Sequence, residues 1–336
     1  MRQGILAAGN WIVDYVKVVD RWPAQDTLAS ILRQSTGTGG SPYNLLLDLA
    51  KLGAPFPLSA IGLVGEDEAG RSILRHCQAH GIDTRQLGLT ASAPTSFTDV
   101  MTVESTARRT FFHQRGANAH LGPEHFDFSR TSAKIFHLGY LLLLDRLDGL
   151  EGGQPGSLTV LQRAKAAGLI TSVDCVSEDS DRFQSVISPV LPSVDLFFAN
   201  DFEAEKLTKI PLRPHGKIDA DAVAQAGQRL IALGVQCWVV IHFPEAVYAC
   251  SAGGDTHWQP SLRVPPAEIA GAAGAGDALT AGVLFGFHEN WPLSNCLRLG
   301  VSVAAASLSH PTCSEGIHSL AAAQALADRL GFHPLP

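Results

Sequence analysis

The chain has 336 residues, 46% of them hydrophobic and 17% charged, with a net charge of −7. That length suits one large α/β domain or two smaller ones, and an acidic balance without any Lys/Arg-rich run argues against nucleic acid as the main partner. Six scattered cysteines without CxxC spacing, an N-terminal apolar run too short for a signal peptide and no apolar stretch of spanning length point to a cytoplasmic protein with no membrane partner.

Residues 4–8 and 11–19 read as strands, and 29–36 as a third, closed by the run GTGG at 37–40. Residues 43–52 carry a helical apolar pattern that stops at Gly53. A strand at 58–64 and a helix at 67–80 begin a strand–helix alternation, which predicts a parallel sheet covered by helices. Residues 95–103 and 108–114 break that rhythm. They alternate in period two around 104–107 and predict a hairpin, which joins strands from 11–36 in a small accessory sheet. Strands then follow at 134–139, 169–174, 195–199, 235–241 and 246–250, with helices at 157–167, 202–207, 219–233, 278–288, 293–308 and 320–330. No repeat, linker or composition shift marks a boundary. The expectation is a single α/β domain over 1–336 with a small β lid from about 11–36 and 95–115.

The run GAAGAGD at 271–277, leading into an apolar helix, is the strongest chemical signal. Its glycines let backbone N–H groups approach an anion, and the helix directs its positive end to the same place. Asp277 at the junction has the chemistry of a general base. The run lacks the Lys of a P-loop and the spacing of a dinucleotide fingerprint, and a close crossing of small residues over the sheet is the alternative. Gly39, Gly40 and Asn44 open a helix where backbone and amide could meet a polyhydroxylated ligand, or form an ordinary loop and helix start. Asp14 could accept two sugar hydroxyls or lie on an exposed edge. Asn200 and Glu203 follow an apolar strand. They could organise the water shell of Mg²⁺, cap a helix, or do both.

The order and spacing of these pieces, with the run VGEDEAG at 64–70 and Arg109 ahead of Gly116-Ala117, resemble the ribokinase-type (PfkB) family of carbohydrate kinases over nearly the whole chain. The resemblance implies a three-layer α/β/α domain with a mainly parallel sheet and a small β-sheet lid. It implies ATP-dependent phosphorylation of a hydroxymethyl group of a sugar or sugar acid, with Asp277 as base and the 274–277 backbone (Gly274, Ala275, Gly276) as anion hole. Asp14, Gly39, Gly40, Asn44 and Arg109 then resemble the sugar contacts, and Asn200 with Glu203 the pair that organises Mg²⁺ through water. Ala304 and Ser307 fall near the nucleotide base. Three departures stand beside these matches. Gly271-Ala272-Ala273 replaces the family's Asp-Thr-Thr, whose Asp commonly helps hold a monovalent cation, so the ground for K⁺ activation is weakened. His242-Phe243-Pro244 stands where the family has the Thr-x-Gly that touches ATP phosphates, and Cys175-Val176-Ser177 replaces a basic or polar run. Alternatives are a nucleoside kinase, hinted at by Phe97, Phe111 and Phe112, and a non-catalytic sugar- or nucleotide-binding protein. A lid hairpin with one apolar face adds a homodimer packed lid to lid.

Overall fold

The computed structural model describes residues 2–106 and 108–336; Met1, and Ala107 in the expected 104–107 turn, lie outside the described residues. The first half of the chain forms β1 (Ile5–Gly9), β2 (Ile12–Val19), β3 (Ile31–Gly39), α1 (Ser41–Lys51), β4 (Leu58–Gly65), α2 (Glu68–Ala79), β5 (Asp83–Thr90), β6 (Ser96–Val103), β7 (Arg109–Gln114) and β8 (Ile135–Leu141). A short α3 (Asp145–Asp148) and the two-residue strands β9 (Leu150–Glu151) and β10 (Gln154–Pro155) follow. The second half forms α4 (Gly156–Ala166), β11 (Ile170–Cys175), β12 (Leu196–Asn200), α5 (Asp201–Thr208), α6 (Ala220–Ala232), β13 (Trp238–Phe243), β14 (Ala246–Ser251), β15 (Thr256–Pro260), α7 (Ala275–His288), α8 (Leu293–Ser307) and α9 (Leu320–Leu330).

Nine strands make the central sheet in the order β15-β14-β13-β12-β11-β8-β1-β4-β5. All pairings from β13 to β5 are parallel, and β14 and β15 add an antiparallel edge. Burial explains the layers. The central strand β1 is buried on both faces, sending Leu6 and Ala8 into one core and Ile5 and Ala7 into the other. The first core is closed by α4, α5 and α6 through Leu161, Ala204 and Leu230. The second is closed by α1, α2, α7, α8 and α9 through Leu46, Ile73, Leu284, Val303 and Ala327. The expected three-layer α/β/α arrangement with a mainly parallel sheet is present.

A separate four-stranded sheet runs β3-β2-β6-β7, with antiparallel pairs at both ends and a parallel β2–β6 pair between them. It joins the two segments expected to form an accessory sheet. The strand expected at 29–36 runs from Ile31 to Gly39, so Gly37 and Gly39 belong to β3 and only Gly40, which caps α1, closes it. Close approach explains their use: a Cβ on Gly39 would lie 2.3 Å from Asp14 Oδ2. Two edge strands, β5 and β15, escaped the sequence reading because DTRQLGLT and THWQP show only partial burial and no clean alternation. Among the described residues, no helix is long and apolar enough to cross a membrane.

Candidate active site

A cleft of about 880 Å³ lies between the C-terminal ends of the central parallel strands and one face of the small sheet. Ends of parallel strands are where α/β ligand sites collect, because loops and helix N-termini converge there. Asp14, Gly40, Asn44, Arg109, Asn200, Glu203, His242 and the four residues from Gly274 to Asp277 all line it.

Gly274 caps α7 with φ 77°, in the left-handed region, and an added Cβ would stand 2.6 Å from Cys313 Cβ. Both conformation and space demand glycine here. No side chain caps this helix end, so the first-turn N–H groups of Ala275, Gly276 and Asp277 are free to receive an anion. Asp277 is buried in the first turn, and its Oδ2 accepts from Asn44 Nδ2 at 2.7 Å and from the Tyr140 hydroxyl at 3.0 Å. Both bonds end on one oxygen, which leaves Oδ1 for a substrate proton. Burial pushes this carboxyl up to about 7; Asp174 and Asp14 add to the rise, and Asn44 and Tyr140 oppose it.

Asp174, next to last in β11, stands beside this group. It accepts from Ser41 Oγ at 2.8 Å and from the Tyr140 backbone N–H at 2.6 Å. Tyr140 sits at φ 57°, an uncommon conformation for a non-glycine residue, and this turn brings its hydroxyl to Asp277. Neither residue was singled out from the sequence. Asp174 lay at the end of an expected strand, so the strand-end rule applied to Asn200 could have found it. Nothing local announces Tyr140.

Asn200 and Glu203 form a reciprocal cap on α5: Glu203 N donates to Asn200 Oδ1 and Asn200 N donates to Glu203 Oε2, each at 2.9 Å. Ser177 Oγ donates to Glu203 Oε1 at 2.8 Å and receives Asn200 Nδ2 at 2.7 Å. The segment noted as a departure thus supplies the third member of this network. Burial pushes the Glu203 carboxyl up to about 8, opposed by its bonds from Asn200 and Ser177. His242 pairs with Asn200 across β12 and β13, and a Cβ on Gly276 would lie 3.2 Å from its ring. Burial lowers this imidazole to about 4, so it is neutral near pH 7. After it, Pro244 and Glu245 connect β13 to β14 in a tight hairpin, since Phe243 already pairs with Ala246.

The small sheet presents three rows to the cleft, as its register shows. Asp14, Thr98 and His113 form the row nearest the glycine loop; Val16, Val100 and Phe111 the next; Val18, Thr102 and Arg109 the outermost. Burial raises the Asp14 carboxyl to about 6, against a hydrogen bond from Thr98. Arg109 folds back over the Phe111 ring at 5.9 Å and makes no ion pair or side-chain hydrogen bond among the described residues. Phe97 instead packs on Tyr15 and Phe112 on Trp22, so Phe111 alone of these three lines the cleft. Gly39 lies beneath Asp14 rather than on the cleft surface. Ala304 and Ser307 do not line the cleft; Ser307 is buried, its hydroxyl bonded to the Ala304 carbonyl.

The family model for pfkB family carbohydrate kinases matches residues 2–320. The chain is 24% identical over 332 residues to a 5-dehydro-2-deoxygluconokinase of Shouchella clausii, covering 96% of this chain and 95% of that one. A ribokinase of Arabidopsis thaliana with ribose and ATP superposes with a TM-score of 0.76 at 20% identity, over 97% of this chain and 99% of that one. An E. coli protein assigned as a ribokinase II and holding ATP and Mg²⁺ gives 0.76 at 18% identity, over 97% and 99%. The chain belongs to the pfkB family of carbohydrate kinases, and its fold is ribokinase-like.

Proposed function

We propose that this kinase uses ATP and Mg²⁺ to phosphorylate a hydroxymethyl group of a sugar or sugar acid, with Asp277 as general base. The observation that carries the reading is the single free oxygen of Asp277, held at an uncapped helix N-terminus inside the cleft. Oδ1 takes the proton of the acceptor hydroxyl while Asn44 and Tyr140 keep the carboxylate aimed. The N–H groups of residues 275–277 receive the negative charge that builds on the transferring group.

The residues present fit ATP and Mg²⁺ at the phosphate end. The free N–H groups of α7 suit phosphate oxygens, and the Asn200–Ser177–Glu203 network suits a hydrated Mg²⁺, which keeps its own waters. Mg²⁺ there supplies charge neutralisation to the phosphates. Glu203 orients those waters, and His242 closes the wall beside Gly276. Residues 271–273 carry no oxygen-bearing side chain, so they offer a monovalent cation no carboxylate.

On the acceptor side, Asp14 accepts sugar hydroxyls over Gly39, Gly40 and Asn44. Arg109, drawn inward over Phe111, supports the sugar-acid form by pairing a carboxylate one row beyond Asp14. The apolar row Val16, Val100 and Phe111 favours a second reading, a nucleoside whose base stacks there. We read the chain as a single cytoplasmic domain, with the small sheet acting as the lid. Its six cysteines are free, in keeping with a reducing compartment.

ATP consumption measured over pentoses, hexoses, keto-sugar acids and nucleosides, with and without K⁺, tests these assignments. Asp277→Asn should lower turnover on the best acceptor by roughly 10²–10⁴-fold while acceptor binding persists. Near wild-type turnover in that variant would overturn the mechanism.

A further inference from the structure

Asn44 and Asp48 stand one turn apart on α1, at 1% and 0% exposure. Asn44 gives its amide N–H to Asp277, and its own Oδ1 has no donor among the described residues. Among the described residues, neither carboxylate oxygen of Asp48 has a partner, nor has the hydroxyl of Ser314, which faces it. Lys51, a cation whose charge acts on Asp48, is already engaged: its Nζ donates to the Ser314 carbonyl and to Glu315, each at 3.0 Å. Three buried acceptor oxygens, Asn44 Oδ1 and both of Asp48, thus share the Ser314 hydroxyl as their one uncommitted O–H or N–H donor among the described residues, a shortfall that a folded protein relieves with a proton or a cation.

We infer that Asp48 is held as a neutral carboxylic acid, whose O–H donates to Asn44 Oδ1 and so locks the Asn44 amide with its N–H toward Asp277. One proton closes the whole account. Asp48 donates to Asn44, Ser314 donates to the other Asp48 oxygen, and no buried atom of the group stays unpaired. Burial pushes the Asp48 carboxyl well above the carboxylate range, with Asp277 and Glu315 adding to the rise and Ser314 and Lys51 opposing it. Tyr43 and Cys313, which also face this group, are pushed upward and stay neutral.

Asp48 is thus a positioning residue, and this role rests on the reading of Asp277 as the base. Asp277 is faced by Asp174 on β11, Asp14 on β2, Tyr140 near the end of β8, and Asn44, Asp48 and Cys313. Of these, only Asn44 and Tyr140 favour its ionised form. If the lock is lost, Asn44 is free to turn its oxygen toward Asp277, and one of the two donors is withdrawn.

The test compares wild type with Asp48→Asn, which keeps a donor and an acceptor of the same shape, and with Asp48→Leu, which keeps neither. The folded wild type holds a proton that the unfolded chain releases above about pH 4, so its melting temperature should fall relative to Asp48→Asn as pH rises toward 8. The acid limb of the pH–rate profile should stay in place in Asp48→Asn. In Asp48→Leu it should move up by about one unit, the size of one charge-assisted hydrogen bond. Wild-type melting should be the same in K⁺ and in tetramethylammonium buffers of equal ionic strength. A flat or reversed melting gap shows an ionised Asp48 and overturns the inference; so does stabilisation by K⁺, which puts a cation where the proton is assigned. If Asp48→Leu does not fold, the Asp48→Asn melting comparison still decides. A wild-type rate without an acid limb counts against Asp277 as base and leaves the melting comparison standing.

Discussion

At the residue scale, the proposed chemistry turns on how the ionisation of Asp277 is held near neutrality. Burial raises its carboxyl to about 7 and two hydrogen bonds restrain the rise. A base must be deprotonated to act, so kcat/KM should climb as pH passes upward through about 7. Tyr140→Phe removes one of the two donors to Oδ2. The acid limb should then move to higher pH by roughly one unit, equal to about 1.4 kcal/mol, with little change in global stability. Rate profiles of the two proteins across that range check this, and coincident limbs would rule out the Tyr140 hydroxyl as a tuning group. Asp277 and Asn44 were legible in the sequence because glycine-rich surroundings flag close approach. Tyr140 was not. It meets Asp277 across 137 residues of chain, through a sheet order and a left-handed turn that no local pattern encodes.

At the element scale, α5 and α7 show opposite treatments of a helix start. The α5 end is fully capped by Asn200 and Glu203, whereas the α7 end is left without a side-chain cap. Asn200→Ala should therefore cost about 0.5–2 kcal/mol of stability, read by urea denaturation. Glu203 adds a pH dependence whose sign follows from its raised carboxyl. The folded state keeps a proton up to about 8 that the unfolded chain loses near 4.5, so stability from this group falls as pH rises between those values. Glu203→Gln should flatten that decline between about pH 5 and pH 8; an equal slope in both proteins would mean that Glu203 is ionised throughout. Gly274→Ala should be worse than a lost cap, because it meets both the left-handed φ and the Cys313 backbone. The helices with buried stripes and the core strands were readable from period alone. The edge strands β5 and β15 were not, since partial burial leaves polar residues at many positions and the pairing partner decides the conformation.

At the scale of the molecule, the two faces of the small sheet are used differently, and strand alternation is the reason. On β7, Arg109, Phe111 and His113 face the cleft, while Phe112 points the other way and stacks on Trp22 with ring centroids 6.1 Å apart. Phe112 is 52% exposed and Trp22 50%, so this stacked pair leaves large apolar side chains in water, and Ile31 on the other edge strand is 54% exposed. A second copy of the same sheet would cover these side chains, and a two-fold arrangement uses one self-complementary patch on both partners. The wild type is therefore expected to be a dimer by light scattering at micromolar concentration. Phe112→Asp should give a monomer, because it would bury a charge at the centre of the contact. Phe111 and Arg109 stay in place in that variant, so acceptor specificity in the ATP-consumption assay should be retained even if turnover changes. A monomeric wild type at high concentration, or a dimer unaffected by Phe112→Asp, would remove the small sheet as the interface.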